Sequence, residues 1–352
     1  MPDRPLRILH AIFSSRIAGS ERYCIDLANR QAALGHEVHV SGTGTSPLAG
    51  ALGPNVHFHG FGRFFRGLRL RRLIARLQPD VCHGHLSAAC KALGRVSDRH
   101  QTVATLHVGY KPHQHARLGG LICVNRAQAA RLSDYQGLVR TIANWLPDAA
   151  DFPAPGFRRE LGLAADVFVV GAVGRLHASK GMDVLVSAFR AAAPARAALV
   201  LVGEGPERAR LEALRAGDPR IHFLGYRPDV RGCLRDFDLF VSPSREESFG
   251  LAIIEAMSAR LPIIATAAEG PAEFLLDQPV ELVPPDSVAA LTAALAAACE
   301  KFAAGDLRRV AYDLSLFDPA ARLANITDFY THLIEARQWG RARPERRVAV
   351  VT

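Results

Sequence analysis

The sequence predicts an α/β protein of two domains, each built on a parallel β-sheet. Apolar runs of about five residues alternate with amphipathic helical segments through both halves, a pattern typical of strands joined by helical crossovers. A chain of 352 residues is long enough for two domains of ordinary size. Three prolines and a shift in composition mark the stretch 144–156, so we place the domain boundary near residue 150.

The amino-terminal half begins with an apolar run from Arg7 to Phe13, which predicts the first strand. A helix follows and extends through Ala33, and the segment 34–40 holds the end of that helix and a second strand. Two later segments, 79–85 and 105–107, have the pattern of strand ends.

The carboxyl-terminal half repeats this organisation. The segment 172–189 predicts a strand, a loop and a helix, and the segments 199–206 and 223–226 predict two further strands. The apolar run 238–241 predicts another strand, which Ser-Pro-Ser ends. An amphipathic helix is predicted over 319–337, and the basic segment that follows predicts a mobile tail over 338–352.

The stretch Pro243-Ser-Arg-Glu-Glu-Ser-Phe-Gly-Leu-Ala-Ile-Ile-Glu-Ala-Met257 carries the strongest functional signal. Apolar residues at helical spacing predict that a helix begins near Phe249 and Gly250. The first amides of a helix lack partners within it, so this end favours an anion such as phosphate. If the backbone from Glu247 to Glu255 is helical, the two acids are roughly 12 Å apart, which suits contacts with a sugar and a ribose.

This stretch resembles the E-x7-E motif of the retaining group 1 glycosyltransferases, which adopt the GT-B fold of two facing Rossmann-like domains. The segment 172–189 resembles the first strand, loop and helix of the family's nucleotide-binding domain. The segments 79–85 and 105–107 resemble its D-V-x-H-x-H and T-x-H segments. The resemblance implies an acceptor-side domain over 1–150, a nucleotide-sugar domain over 151–318 and a crossover helix over 319–337 that returns to the first domain.

The resemblance also implies roles for individual residues. Glu247 orients the donor sugar and supports positive charge on it, Arg175 and Lys180 neutralise the donor diphosphate, and His107 reaches the transferred sugar from the opposite domain. Fixed cations suit a leaving diphosphate because its negative charge grows as the glycosidic bond breaks. The implied donor-binding residues are Gly19, Tyr226, Arg227, Phe249, Gly250, Leu251 and Glu255. The family usually carries two adjacent glycines in the first loop, whereas Ala18 precedes Gly19 here.

The implied activity is transfer of a hexosyl group from a nucleotide-diphosphate sugar, with retained anomeric configuration, to a glycan or lipid-linked acceptor. A UDP-sugar is the favoured donor and a GDP-sugar the second choice, and neither a cofactor nor a catalytic metal is expected. Assembly of lipopolysaccharide or another cell-surface polysaccharide is the expected setting. Two alternatives remain: a catalytically silent sugar-nucleotide-binding partner, and a GT-B sugar-nucleotide epimerase.

The charge of the chain indicates an acidic partner. The net charge is +9 and the isoelectric point about 9.6. The segment 61–77 holds six arginines and no acid, interleaved with aromatic residues, and resembles an interfacial amphipathic helix. Its predicted membrane-docking residues are Arg63, Arg66, Arg69, Arg71, Arg72 and Arg76. The alternative is a core helix with a solvated basic face, and no motif favours nucleic acid.

Other patterns in the sequence are given structural interpretations. Histidine pairs at 57/59, 83/85 and 113/115 fit alternation on strands and loops, and Asp236-Phe-Asp238 enters a strand, so no metal site is predicted. The six cysteines form no C-x-x-C pair and fit reduced thiols. With no signal peptide and no apolar run of about 18 residues, we expect a cytoplasmic protein that is peripheral on the inner face of the membrane.

Overall fold

The computed structural model divides into two compact units, which we describe separately. Unit 1 comprises Met1–Pro147 and Phe317–Thr352, and unit 2 comprises Asp148–Leu316. The structure describes residues 4–62, 64–146, 156–192, 196–227 and 230–342. The predicted boundary near residue 150, Arg63, and residues 343–352 of the predicted tail lie outside this part of the chain.

Unit 1 contains a sheet of seven parallel strands in the order β3-β2-β1-β4-β5-β6-β7. The strands are β1 (Arg7–Ile12), β2 (Glu37–Thr43), β3 (Val56–Phe61), β4 (Val81–His85), β5 (Thr102–Leu106), β6 (Gly120–Cys123) and β7 (Leu138–Thr141). The order reverses between β1 and β4, and ligands of such sheets bind outside the carboxyl ends of the strands at this reversal.

Unit 2 contains a sheet of six parallel strands in the order β10-β9-β8-β11-β12-β13. The strands are β8 (Phe168–Val173), β9 (Ala197–Val202), β10 (Ile221–Gly225), β11 (Leu239–Ser242), β12 (Ile263–Thr266) and β13 (Glu281–Val283). Here the reversal lies between β8 and β11. The predicted α/β class with two parallel sheets is therefore confirmed.

Helices connect the strands of both sheets. In chain order they are α1 (Gly19–Ala33), α2 (Leu48–Ala51), α3 (Arg66–Leu77), α4 (Ser87–Leu93), α5 (Pro112–His115), α6 (Arg126–Ala130), α7 (Phe157–Glu160), α8 (Met182–Ala192), α9 (Arg208–Arg215), α10 (Val230–Arg235), α11 (Leu251–Ser258), α12 (Glu269–Leu275), α13 (Val288–Ala303) and α14 (Pro319–Ala342). Two 3₁₀ turns, Ala178–Lys180 and Ser315–Phe317, complete the set in the described ranges. None of these helices has the length and apolar character needed to cross a membrane.

The core of unit 1 covers both faces of its sheet. On one face, Ile326, Phe329 and Tyr330 of α14 are buried in one cluster with Ile8 and Val103 of the sheet. A second cluster joins α3 and α4 to the sheet. The terminal helix is thus part of unit 1, although unit 2 separates it in sequence from the rest.

Helix α14 is longer than the sequence predicts. It continues to Ala342, so the first residues of the predicted mobile tail are helical. This part of the chain contains no proline, and three of its five residues, Gln338, Arg341 and Ala342, are good helix formers. The helix therefore extends five residues into the segment 338–352 that the sequence assigns to a tail.

The core of unit 2 packs α8 and α13 on the sheet. Leu185 and Phe189 of α8 and Leu291 of α13 lie in one buried cluster with Val170 and Leu199. This packing fixes β8, β9 and β11, and the loops that follow β8 and β11 emerge side by side at the reversal of strand order.

Candidate functional site

Two loops of unit 2 meet at the reversal of strand order. The first follows β8 and includes the 3₁₀ turn Ala178–Lys180, and the second, residues 243–250, follows β11. The carbonyl oxygen of Ser179 accepts hydrogen bonds from the amides of Arg245 and Glu246, at 2.8 and 3.1 Å. We call these two loops the switch-point loops. Their backbones are joined directly, so residues far apart in sequence come together.

Two glycines allow the switch-point loops to take this shape. Gly181 has a φ of +61°, and a Cβ placed there would lie 2.0 Å from the carbonyl oxygen of Pro243. Gly250 has a φ of +94° immediately before α11, where its missing side chain permits the turn into the helix. A larger residue at either position would force the loops apart or distort the helix start.

Lys180 and Glu247 form an ion pair across the switch-point loops. The Nζ atom of Lys180 contacts Oε2 of Glu247, and their side chains are 26% and 16% exposed. Glu247 also accepts a hydrogen bond from the amide of Phe249 at 3.4 Å. Two predicted site residues, 67 positions apart in sequence, therefore lie in contact.

Arg245 holds the second loop against α8. Its guanidinium donates to both carboxylate oxygens of Asp183, at 2.7 and 3.0 Å, and to Asp286 at 2.8 Å. The hydrogen bond to Asp183 is the main reason that the pKa of Arg245 is raised. The sequence alone predicts no role for Arg245. Its position between the end of β11 and Glu247 is the one sequence feature that could indicate a role. That feature does not identify its acidic partners, because they are distant in sequence.

Several positively polarised groups at this place have no partner among the residues that the structure describes. The side chain of Arg175 is exposed and forms neither a hydrogen bond nor an ion pair with them. The amides of Gly250 and Leu251, at the start of α11, likewise donate to none of them. A cationic side chain and the positive end of a helix dipole therefore remain available to an anion.

The other predicted donor-binding residues of unit 2 occupy two different places. Glu255 lies on α11 and is 9% exposed. Tyr226 and Arg227 follow β10, which is an edge strand two positions from β8. Tyr226 is 56% exposed, and Arg227 pairs with Glu160 at 2.5 Å. Contact between Arg227 and a ligand would thus compete with this ion pair.

In unit 1, His107 ends a line of hydrogen-bonded side chains that begins at Gln31 on α1. Nε2 of His10 lies 2.7 Å from Oε1 of Gln31, and Nδ1 of His10 lies 3.1 Å from Nε2 of His85. Nδ1 of His85 lies 3.2 Å from Nε2 of His107. We call Gln31, His10, His85 and His107 the histidine row. Register brings it together, because β1 lies beside β4 and β4 lies beside β5.

The histidine row is neutral at pH 7. Burial lowers the pKa of His10 and of His107 to about 4. Burial also holds the pKa of His85 well below its usual value, with a smaller contribution from the neighbouring histidines. The sequence predicts a role for His107 but none for His10, which stands inside an apolar strand and looks like one more core position.

His83 and Cys24 lie next to the histidine row, and neither is part of its hydrogen-bonded line. His83 is fully buried between the hydroxyl oxygens of Tyr330, at 2.6 Å, and Thr105, at 2.8 Å, which is a structural role. His10, Cys24 and His85 each offer one potential metal-ligating atom within 4.8 Å of one another. Burial raises the pKa of the Cys24 thiol, so the thiol form predominates at neutral pH.

The loop that precedes α1 accommodates the alanine at position 18. Ala18 has an extended backbone with a φ of −131°, a conformation that does not require glycine. Its amide donates to the Glu21 carboxylate at 3.0 Å. Gly19 is the first residue of α1. The departure from two adjacent glycines therefore introduces no backbone strain.

The basic segment 61–77 divides between strand β3 and helix α3. Leu70, Leu73 and Ile74 of α3 are buried in the core of unit 1. Phe64 and Phe65, just before the helix, are 73% and 77% exposed. The arginines of α3 form no ion pair with any described residue: these are Arg66, Arg69, Arg71, Arg72 and Arg76. The segment thus combines a core-facing side with a basic, aromatic surface, which we call the α3 surface.

Comparison with protein families assigns both halves of the chain. Residues 17–151 match the family model described as Glycosyltransferase Family 4, and residues 167–301 match the one described as Glycosyl transferases group 1. The two matches contain the predicted site residues of unit 1 and unit 2, respectively.

Two curated relatives carry names from lipopolysaccharide core biosynthesis. The chain is 31% identical to the lipopolysaccharide core biosynthesis glycosyltransferase LpsD of Rhizobium meliloti, over 59% of this chain and 61% of that relative. It is 27% identical to the core biosynthesis mannosyltransferase LpsB of the same organism, over 75% of this chain and 78% of LpsB.

Solved structures share the fold. The chain is similar to Anabaena HepE in complex with UDP and glucose, with a TM-score of 0.76, 21% identity, and coverage of 93% of this chain and 99% of HepE. It is also similar to WaaG, a glycosyltransferase involved in lipopolysaccharide biosynthesis, with a TM-score of 0.66, 17% identity, and coverage of 94% and 98%.

Proposed function

The chain belongs to the group 1 glycosyltransferases of the GT-B fold, and on this premise we propose that it transfers a hexosyl group from a nucleoside-diphosphate sugar to a glycan or lipid-linked acceptor with retained anomeric configuration. Its setting is assembly of lipopolysaccharide or a related cell-surface polysaccharide, which the names of LpsD and LpsB support. A UDP-sugar is the favoured donor because HepE was solved with UDP and with UDP-glucose, and a GDP-sugar is the alternative.

One observation carries the proposal. At the reversal of strand order in unit 2, the free guanidinium of Arg175 and the unpartnered amides of Gly250 and Leu251 accompany the Lys180–Glu247 pair within the described ranges. A diphosphate would satisfy these donors. Arg175 would bind two oxygens through its planar fork, whereas the Lys180 ammonium would act as a compact charge.

We propose that the reaction uses these charges in the following way. The bond between the anomeric carbon and the diphosphate oxygen breaks, and a bond to the acceptor oxygen forms on the same face of the sugar. The acceptor proton passes to the leaving diphosphate, so no covalent adduct with the enzyme is needed. Arg175, Lys180 and the helix amides stabilise the charge that grows on the leaving group. Glu247 supports the positive charge on the sugar.

The remaining predicted residues bind the rest of the donor. Glu255, nearly buried on α11, binds the ribose hydroxyls, and His107 binds a hydroxyl of the transferred sugar. Phe249 contributes its backbone at the start of α11, Gly19 offers its backbone at the start of α1, and Tyr226 and Arg227 lie beside the base.

A thermal-shift screen tests the donor site. The purified protein is heated with UDP, GDP, ADP, CMP and their common sugar conjugates, and the series is repeated with Glu255→Gln. A ligand at 100 times its Kd stabilises a protein by about 2.7 kcal/mol, so a true donor gives a clear rise in Tm. We expect one nucleotide family to raise Tm, and the variant to lose most of the rise. A screen without any shift would contradict the donor site.

A transfer assay with the selected donor separates the three functional classes. Formation of an acceptor-linked sugar with the donor's anomeric configuration supports the retaining transferase. Donor binding without turnover identifies a silent binding partner, and conversion of the donor without acceptor identifies an epimerase. An inverted product, or a trapped glycosyl-enzyme adduct, would overturn the mechanism.

We further propose that the α3 surface docks on an anionic membrane from the cytoplasmic side. Its exposed arginines have no acidic partner in the described chain, and Phe64 and Phe65 offer apolar side chains beside them. Near an anionic leaflet each arginine contributes about 1 kcal/mol, so several together suffice for reversible docking. This position would bring the enzyme to lipid-linked acceptors.

Vesicle sedimentation tests this docking. The variant Arg69→Ser, Arg71→Ser, Arg72→Ser should release the protein from vesicles that contain phosphatidylglycerol, while donor binding is retained. The matched control removes three arginines of α9, Arg208, Arg210 and Arg215, and lowers the net charge equally. Equal loss of binding in both variants would point to net charge alone, and unchanged binding in the first would overturn the proposal.

A further inference from the structure

We infer that Gln31 sets the tautomer of His107 through the histidine row, so that His107 presents an unprotonated Nδ1 to its ligand and accepts a hydrogen bond from a hydroxyl group. Gln31 is thereby a positioning residue that acts from α1 through two intervening histidines. The identity of the ligand as a sugar rests on the proposed function, whereas the proton order of the row does not.

The order begins at Gln31 because a carboxamide oxygen can only accept. Its Oε1 atom lies 2.7 Å from Nε2 of His10, a length typical of an N–H···O hydrogen bond, so His10 carries its proton on Nε2. The amide nitrogen of Gln31 faces the hydroxyl oxygen of Tyr330 instead, at 3.4 Å.

The remaining steps follow from the neutrality of each imidazole, which carries a single ring proton. Nδ1 of His10 has a lone pair and accepts from Nε2–H of His85 at 3.1 Å. Nδ1 of His85 then accepts from Nε2–H of His107 at 3.2 Å. The last ring nitrogen, Nδ1 of His107, is left as an acceptor with no partner among the described residues.

Burial makes this order persistent. His10, Gln31 and His85 have no exposed surface, so water cannot supply an alternative donor or acceptor along the row. Reversal would require all three histidines to change tautomer together and would leave the carboxamide oxygen without a donor. In a buried site of low polarity, a polar atom without a hydrogen-bond partner costs more free energy than it does at the surface.

A metal ion held by His10, Cys24 and His85 would reverse the tautomers of His85 and His107. The metal would take the lone pairs of His10 Nδ1 and His85 Nε2, and His85 would then carry its proton on Nδ1. His107 would accept at Nε2 and present a protonated Nδ1. The tautomer of His107 therefore distinguishes the hydrogen-bonded row from a metal site at the same atoms.

The test is long-range ¹H–¹⁵N correlation spectroscopy on the protein labelled with ¹⁵N-histidine. The His107 signals are assigned by their absence in His107→Asn. We expect Nδ1 of His107 to have the shift of an unprotonated nitrogen, and Nε2 that of a protonated one. A protonated Nδ1 would overturn the inference, and stoichiometric metal by elemental analysis would assign the row to a metal site.

Two variants locate the origin of the order. Gln31→Leu removes the acceptor, and we expect His107 to lose its single tautomer while binding of UDP alone is unchanged. Tyr330→Phe is the matched control, because it removes a neighbour of Gln31 but keeps the acceptor oxygen, so the tautomer should be retained. A fixed tautomer in Gln31→Leu would contradict the role of Gln31.

Kinetics connect the tautomer to turnover. With the donor selected by the thermal-shift screen, Gln31→Leu should lower kcat/KM about 3- to 10-fold, the value of one neutral hydrogen bond. Unchanged kcat/KM alongside an altered tautomer would show that His107 does not accept from the ligand. If the wild-type protein transfers no sugar at all, the proposed function fails, while the spectroscopic result still decides the order of the row.

Discussion

The switch-point loops of unit 2 and the histidine row of unit 1 use opposite electrostatics at equivalent places in two similar sheets. Both lie at the carboxyl ends of strands near the reversal of strand order. The switch-point loops carry charged side chains that remain partly exposed, including Lys180 and Glu247. The histidine row is uncharged, and three of its members, Gln31, His10 and His85, are fully buried.

The difference teaches how each region can recognise its ligand. A binding site for a diphosphate gains from charged side chains. Such a side chain avoids most of the desolvation penalty of burial when it remains near the surface, as Arg175 does. A site for a hydroxyl group needs only a lone pair with a fixed direction, which neutral groups can supply from the interior. The comparison predicts that removing a positive charge from the switch-point loops lowers turnover. It also predicts that protonating the histidine row destabilises unit 1.

The largest expected effect is on turnover in Lys180→Ala. The change removes a cation from the proposed leaving-group site and leaves the Glu247 carboxylate without its ion pair. We expect kcat to fall about 10²- to 10³-fold in the transfer assay, by analogy with the loss of one stabilising donor in other enzymes. Lys301→Ala, at an exposed position of α13, is the control and should retain full activity. A kcat close to that of the wild type would contradict the proposal that Lys180 stabilises the leaving diphosphate.

Acidification should test the opposite region. The pKa of His10 is about 4 in the folded protein and about 6.5 when unfolded, so the unfolded state binds more protons below pH 6.5. The stabilisation is complete above pH 6.5 and is lost as the pH falls toward 4. At pH 5 this histidine alone lowers the free energy of unfolding by about 2 kcal/mol. Urea denaturation at pH 7 and pH 5 measures the loss, and stability unaffected by this change would show that the row is not held neutral.

A smaller effect is expected for Arg175→Ala. Since its guanidinium has no partner in the described chain, we expect the free energy of unfolding to change by less than about 0.5 kcal/mol. Donor affinity should fall about tenfold, because a charge-assisted hydrogen bond to the diphosphate is lost. Calorimetric titration with the selected donor and urea denaturation measure the two quantities. A loss of stability without a loss of affinity would reverse the assignment.

The smallest effect is expected for Ala18→Gly, which restores the family's usual pair of glycines. Ala18 already has an extended backbone, so the substitution relieves no strain. The free energy of unfolding should change by less than about 0.5 kcal/mol, and kcat by less than about twofold. A large gain in activity would mean that the loop before α1 must take a conformation that alanine resists.

The two regions also differ in how far the sequence predicts them. The residues of the switch-point loops form two continuous segments, 172–189 and 243–257, so their spacing is visible in the sequence itself. The contact between Lys180 and Glu247 is not, because it depends on which strands are neighbours. The same holds for Arg245, whose partners Asp183 and Asp286 lie in other segments.

The histidine row cannot be predicted from the sequence either, because it also depends on which strands are neighbours. Its members come from α1, β1, β4 and the end of β5, and only the register between parallel strands aligns their ring nitrogens. His10 stands in an apolar run that predicts a buried strand, and a buried histidine adds no sequence signal of its own. The class of fold follows from short-range patterns, whereas a network across strands follows from pairing.

The place of α14 in the chain has a consequence for protein synthesis. Unit 1 receives its last helix only after all of unit 2 has been translated, since residues 317–342 follow the segment that forms unit 2. Until then the sheet face under Ile326, Phe329 and Tyr330, which includes Ile8 and Val103, lacks the helix that buries it. His83 meanwhile lacks the Tyr330 hydroxyl. The unit that leaves the ribosome first is therefore the last to complete its core.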